Sequence, residues 1–151
     1  MTEKIVIKVK KTRTDAIIPT KAHDTDIGFD VYALDLGNMI FKGERVNYIE
    51  YDTGIAVEPP EGYYIECYAR SSITNKDLIL KNSVGIIDPD FRNSIKFRYY
   101  ATNGTCDTNI YRKGERIGQL IVRKIVPAVL LEVDTLSNTE RGLGGLGSTG
   151  A

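Results

Sequence analysis

The chain has 151 residues, enough for one domain that buries roughly two-thirds of its unfolded surface and needs no cross-links to hold a core. Twenty Lys and Arg balance twenty Asp and Glu. That balance leaves no electrostatic footprint for nucleic acid or an anionic membrane, so neither is expected as a direct partner. No apolar run approaches the ~20 residues that cross a bilayer, and the opening MTEKIVIKVKKTR carries charges inside its apolar stretch, unlike a signal peptide. Cys67 and Cys106 lack metal-ligand spacing and offer one pair at most. These features describe a reduced, cytosolic, single-domain protein.

Along the chain the dominant period is two. KIVIKVK (4–10) sets Ile5, Ile7 and Val9 against Lys4, Lys8 and Lys10. FDVYAL (29–34) sets Phe29, Val31 and Ala33 against Asp30, Tyr32 and Leu34, and SIKFRYY (94–100) sets Ile95, Phe97 and Tyr99 against Lys96, Arg98 and Tyr100. Alternation of this kind predicts half-buried strands. Further strands are expected at 45–51, 53–58, 63–69, 78–80, 84–87, 106–111, 119–125 and 128–133. Turn signals separate them: Gly-Glu at 43–44, Pro-Pro-Glu-Gly at 59–62, Asn-Lys-Asp at 75–77, Pro-Asp at 89–90, Asn-Gly at 103–104 and Lys-Gly-Glu at 113–115. A single short turn of helix fits after Arg70. The expected fold class is all-β, a barrel or sandwich of many short strands. The domain is expected to occupy 1–140, with 141–151 as a mobile glycine-rich arm.

Four stretches gather polar groups. HDTDIGFD (23–30) sets three carboxylates around one glycine, which suits a solvated acidic loop or a metal bound through water. Arg70, Ser71 and Ser72 suit phosphate, although a turn cap explains them equally. GIIDPDF (85–91) delivers Asp88 to the end of a strand and turns at once on Pro89. RGLGGLGSTGA (141–151) fits a frayed terminus or, with its unhindered N–H groups and Arg141, a wrap around an anion. Its G-x-G-x-x-G match has no strand–helix unit after it, so a dinucleotide site is excluded. His23, the single histidine, excludes a histidine metal cluster and reads as a surface loop residue.

In chain order, AHDTDIGFDVYA (22–33), ARSSI (69–73), NSVGIIDPDF (82–91), GERIGQL (114–120) and RGLGGLGSTG (141–150) resemble the five motifs of the trimeric dUTP pyrophosphatase (dUTPase) family. The resemblance implies a jelly-roll-like β fold and a homotrimer with active sites at the subunit interfaces. It also implies Mg²⁺-dependent hydrolysis of dUTP to dUMP and pyrophosphate by water attack on the α-phosphorus. Such an activity keeps uracil out of DNA and supplies dUMP for thymidylate synthesis, in the cytoplasm, or the nucleus if the source is a eukaryote or its virus. By the same resemblance Asp88 activates the water, and Asp30 holds Mg²⁺ through water. Arg70, Ser71, Ser72 and Gln119 grip the phosphates, and Arg141, Ser148 and Thr149 fold over the γ-phosphate. Asn82 and the backbone of Ser83, Val84, Gly85 and Ile87 pair with the edge of uracil. Phe91 lies under the deoxyribose where the family usually has Tyr, and Leu146 covers the base where it usually has Phe.

Two further departures mark this chain. Asp26 replaces a usual Ser, adding a negative charge near a triphosphate. Gly118 replaces a usual Ala, with little consequence expected. The neighbouring dCTP deaminases resemble this family in fold and in motifs such as RSS and IGQ, but they carry a Glu ten residues after the third-motif Asp, where this chain has Arg98. They also lack a glycine-rich arm, which disfavours deamination. A scaffold serving only as a binding partner would have no need for Asp30, Arg70, Ser71, Asp88, Gln119 and Arg141 together.

Overall fold

A computed structural model describes residues 3–104 and 109–150 of the chain. Among the described residues ten strands form in chain order. They are β1 Lys8–Lys11, β2 Phe29–Tyr32, β3 Asn38–Lys42, β4 Arg45–Asp52, β5 Ile55–Glu58, β6 Tyr63–Tyr68, β7 Leu78–Leu80, β8 Gly85–Ile87, β9 Lys96–Ala101 and β10 Arg116–Lys124. The short helix expected after Arg70 is a 3-10 turn, Ser71–Asn75. Two four-stranded sheets, β2-β10-β6-β8 and β3-β4-β9-β7, and a β1-β5 ribbon make up the all-β fold, with every pairing antiparallel. No helix among the described residues is long and apolar enough to cross a membrane.

Alternation decides which side chains meet between the sheets. Val31, Ile65, Cys67, Ile117 and Leu120 face inward from one sheet, and Val46, Ile49, Tyr51, Leu78, Leu80, Phe97 and Tyr99 from the other. The rings of Tyr51, Tyr99 and Tyr111 pack edge-on or tilted, with centroids 5.4–6.1 Å apart. Buried tyrosines need partners for their hydroxyls. Tyr51 donates to the carbonyl of Tyr111 (3.0 Å) and Tyr99 to that of Ile117. Burial pushes the Cys67 thiol up to about 12.

Three strand expectations need correction. β3 went unpredicted because all five of its residues are exposed and its apolar run does not alternate. Of the strand expected at 106–111, residues 106–108, with Cys106, lie outside the described residues. Residues 109–111 are irregular, with Asn109 at φ 49°. The strand expected at 128–133 is unpaired chain, and Val129, Leu130 and Leu131 are almost wholly exposed. The segment pairs with none of the sheet edges among the described residues.

Candidate functional site

Antiparallel pairing of β2 with β10 sets Asp30 opposite Gln119, and β10 with β6 sets Gln119 opposite Tyr68. Asp30 is buried and closely held: Arg70 Nε donates to Oδ1 (2.8 Å) and Arg116 Nη1 to Oδ2 (3.2 Å). Arg70 also reaches Ser72 Oγ (3.3 Å). Gln119 Nε2 donates to the carbonyl of Ala69 (3.1 Å), which fixes its amide beside the start of the second motif. Gly28 makes that placement feasible, because a Cβ there would stand 2.1 Å from Gln119 Oε1. Asp26, Asp30, Arg70, Ser71 and Gln119 line one cleft of about 230 Å³.

Asp26 is held within the acidic loop. Its Oδ2 accepts from the backbone N–H of His23 (2.9 Å), and its own N–H donates to the carbonyl of His23 (3.0 Å). Asp26 therefore closes the 23–26 turn, a task a serine hydroxyl also performs. His23 is an exposed loop residue, as expected. No group of three or more His, Cys, Asp or Glu among the described residues forms a metal cage. A single well-held carboxylate suits an ion that keeps most of its waters and takes its other ligands from phosphate.

The third motif forms a second, separate cleft. β7 belongs to one sheet and β8 to the other, so the 81–84 turn bridges them. Ser83 takes φ 60° there, with the Ser83 N–H bonded to the Leu80 carbonyl (3.0 Å). Asn82, Ile87, Asp88 and Phe91 line a cleft of about 640 Å³ together with Tyr48, Lys81, Lys96 and Arg98. The Phe91 N–H donates to the Asp88 carbonyl (3.0 Å), and Arg92 Nη1 donates to the carbonyls of Pro89 (2.6 Å) and Phe91 (3.2 Å), so the turn is closed on itself.

These two groups do not meet within one chain. Ile87 pairs with Ile65, which sets Asp88 beside Tyr64, whereas Asp30 and Gln119 share the row of Tyr68. At ~3.3 Å per residue and ~4.8 Å per strand, they stand roughly 20 Å apart. The two clefts share no lining residue. The arm meets neither of them. Arg141, Leu146, Ser148 and Thr149 are exposed, and the arm's backbone bonds close only its own turns, such as Gly144 N–H to Arg141 O (3.0 Å).

Arg116 is the site residue that sequence reasoning missed. A bulge between Arg116 and Gly118 shifts the β10 register, so strict alternation from Gln119 misassigns its face. The same stretch overturns the expectation for Gly118. A Cβ there would lie 2.3 Å from the Phe97 ring, so this core is packed around the missing methyl.

The fold defines an all-β chain that places Asp30, Arg70 and Gln119 in one cleft and the turn-borne Asp88 in another. The dUTPase family model matches residues 14–150. The chain is 39% identical over 143 residues to the deoxyuridine 5'-triphosphate nucleotidohydrolase of Hydrogenobaculum sp., covering 94% of this chain and 96% of that protein. It is 36% identical to the Arabidopsis thaliana protein of the same name, covering 95% of this chain and 82% of that one. Among solved structures it resembles the dUTPase of Staphylococcus bacteriophage 80alpha with dUPNHPP, with a TM-score of 0.74 at 25% identity, covering 97% of this chain and 99% of that one. The chain belongs to the dUTPase family.

Proposed function

We propose that this chain hydrolyses dUTP to dUMP and pyrophosphate with Mg²⁺, as a cytosolic homotrimer in which residues 1–140 form the β domain and 141–151 the closing arm. The observation that carries this reading is the pair of half-sites, each furnished with the groups that the reaction needs. Asp88 on its turn accepts the proton of a water whose oxygen bonds the α-phosphorus, as the bond to the β-phosphate oxygen breaks and pyrophosphate leaves. Arg70, Ser71, Ser72 and Gln119 offer donors to the charge that grows on the bridging and leaving oxygens. Asp30, braced by Arg70 and Arg116, holds the waters of Mg²⁺, and the ion when bound neutralises phosphate charge. Asn82 and the 83–87 backbone pair with uracil, and the Phe91 ring leaves a ribo hydroxyl neither room nor partner. Arg141, Ser148 and Thr149 close over the γ-phosphate, and Leu146 covers the base.

The separation of the half-sites supports a site shared between copies. One copy contributes Asp88 and the nucleoside cleft, another Asp30, Arg70 and Gln119. A second observation favours close association of copies. Ile5, Val6, Ile7, Val9, Ile18 and Phe29 line an apolar groove of about 440 Å³, while Val126, Val129, Leu130, Leu131 and Leu136 stand largely exposed in the 126–136 segment.

Pyrophosphate release from dUTP, dCTP, dTTP and UTP in the presence of Mg²⁺ tests the reading. Release from dUTP alone is the expected result. Release from none of the four would leave the fold as a binding scaffold, and ammonia from dCTP would make it a deaminase.

A further inference from the structure

Arg98 lies on β9, outside all five motifs, and faces the nucleoside cleft with Asn82, Ile87, Asp88 and Phe91. The Lys81 N–H donates to the Arg98 carbonyl (2.9 Å), so residue 98 stands beside the turn that carries Asn82. Its side chain is fixed on two sides. Nε donates to Glu50 Oε2 (2.8 Å), and the guanidinium lies 5.4 Å from the centroid of the Tyr48 ring. Glu50 is held in turn by Lys96 (3.1 Å). The terminal nitrogens of Arg98 have no acceptor among the described residues. Of the other two cations that line the cleft, Lys96 is held by Glu50, and Lys81 is engaged with the Asn47 carbonyl (3.1 Å) and its Oδ1 (2.6 Å).

We propose that Arg98 is a specificity-determining residue of the cleft, a fixed donor that reads the 4-position of a pyrimidine and favours a carbonyl over an amino group. The proposal rests on the reading of this cleft as the nucleoside site. A guanidinium has donors and no acceptor. Uracil offers it a carbonyl oxygen, whereas cytosine presents an amino donor, and once the bound base shields Arg98, whose side chain is otherwise 55% exposed, two donors facing each other are both left unpaired. Discrimination by an unpaired polar group is stronger than discrimination by size. The tether to Glu50 and the stacking on Tyr48 suit a planar guanidinium and not a flexible ammonium.

The test compares kcat/KM for dUTP and dCTP in the wild type, Arg98→Met, Arg98→Lys and Glu50→Gln, with calorimetric binding of dUMP and dCMP alongside. Methionine keeps an apolar stem against Tyr48 and removes the donors. The dUTP:dCTP ratio is expected to fall about ten- to hundredfold in Arg98→Met, mainly through the KM for dUTP. Arg98→Lys should fall between, and Glu50→Gln, which frees Arg98 without removing it, should lose less. An unchanged ratio, with both nucleotides losing activity together, would overturn the proposal and leave Arg98 a structural role. Should Arg98→Met not fold, the shift in Glu50→Gln decides. A wild type that releases no pyrophosphate from dUTP would fail the proposed function, and the binding arm would still judge Arg98. A dUMP preference abolished by Arg98→Met upholds the residue's role; no preference, or one that the variant keeps, overturns it.

Discussion

Asp88 and Gly118 show how much a single position decides here. Asp88 is exposed on a turn whose backbone is closed by the Phe91 N–H and clamped by Arg92, so Asp88→Asn keeps the shape and removes the base. Turnover is expected to fall on the order of 10²–10⁴-fold while substrate still binds. Single-turnover kinetics with a separate binding measurement would check it, and near-normal turnover would refute the assignment. Gly118 is a matter of packing instead. With Phe97 Cε1 2.3 Å from where a Cβ would sit, Gly118→Ala overpacks a buried site and should cost about 1–3 kcal/mol, read as a lower urea midpoint. Substituting Phe97→Leu in the same chain should return part of that loss. From the sequence alone Gly118 looked like a mild change, because the residue that fills its space comes from another strand of the facing sheet.

At the scale of elements, legibility followed local rules. Strands whose side chains alternate between a core and a polar face were readable: β4 and β9 carry buried residues at every second position over part or all of their length. β3 was not, since exposure on both faces erases the period. The 128–133 segment carries the composition of a strand without a partner in its own chain, so sequence read its propensity and not its pairing. The site was legible as motifs, yet the bulge that turns Arg116 toward Asp30 depends on pairing with β2 and left no local signal. The arm illustrates a third case. Its glycines bond only within residues 139–150, and ordering each residue costs ~1–2 kcal/mol, so the proposed closure needs a ligand to offset that entropy. Deleting 141–151 should leave the thermal unfolding transition and the assembly unchanged and cripple turnover. Intact turnover in the truncated chain would make the arm a frayed end.

For the whole molecule, acid stability depends on groups that the fold brings together, and the proposed sharing of sites on groups that it keeps apart. Hydrogen bonds from Tyr64 and Tyr68, with the charge of the nearby Arg123, hold the carboxyl of Glu66 below the usual range. Burial raises that of Glu50 and of Glu115, but Arg98 and Lys96 outweigh it at Glu50, as do Lys76 and the Arg112 N–H at Glu115. A depressed folded value means that the unfolded chain takes up protons first. The stability contributed is therefore complete above the ordinary glutamate range near ~4.3 and disappears as pH falls through the depressed values. Urea midpoints should drop steeply below that range in the wild type and less steeply in Glu66→Gln; parallel curves would count against the Tyr64–Glu66–Tyr68 cluster. Site sharing has a sharper consequence. Asp88→Asn and Arg70→Ala chains should each be inactive, since each spoils every site in its own homotrimer. Mixed after unfolding and refolded together, they regenerate any site that draws Asp88 from the Arg70→Ala chain and Arg70 from the Asp88→Asn chain. Random assembly of equal amounts makes that about a quarter of all sites in a closed ring with heterologous contacts. Activity near that fraction, absent from either chain alone, requires the two clefts to meet across a subunit boundary. No recovery in well-folded mixed trimers would mean that each chain completes its own site, against the roughly 20 Å that the strand register puts between them.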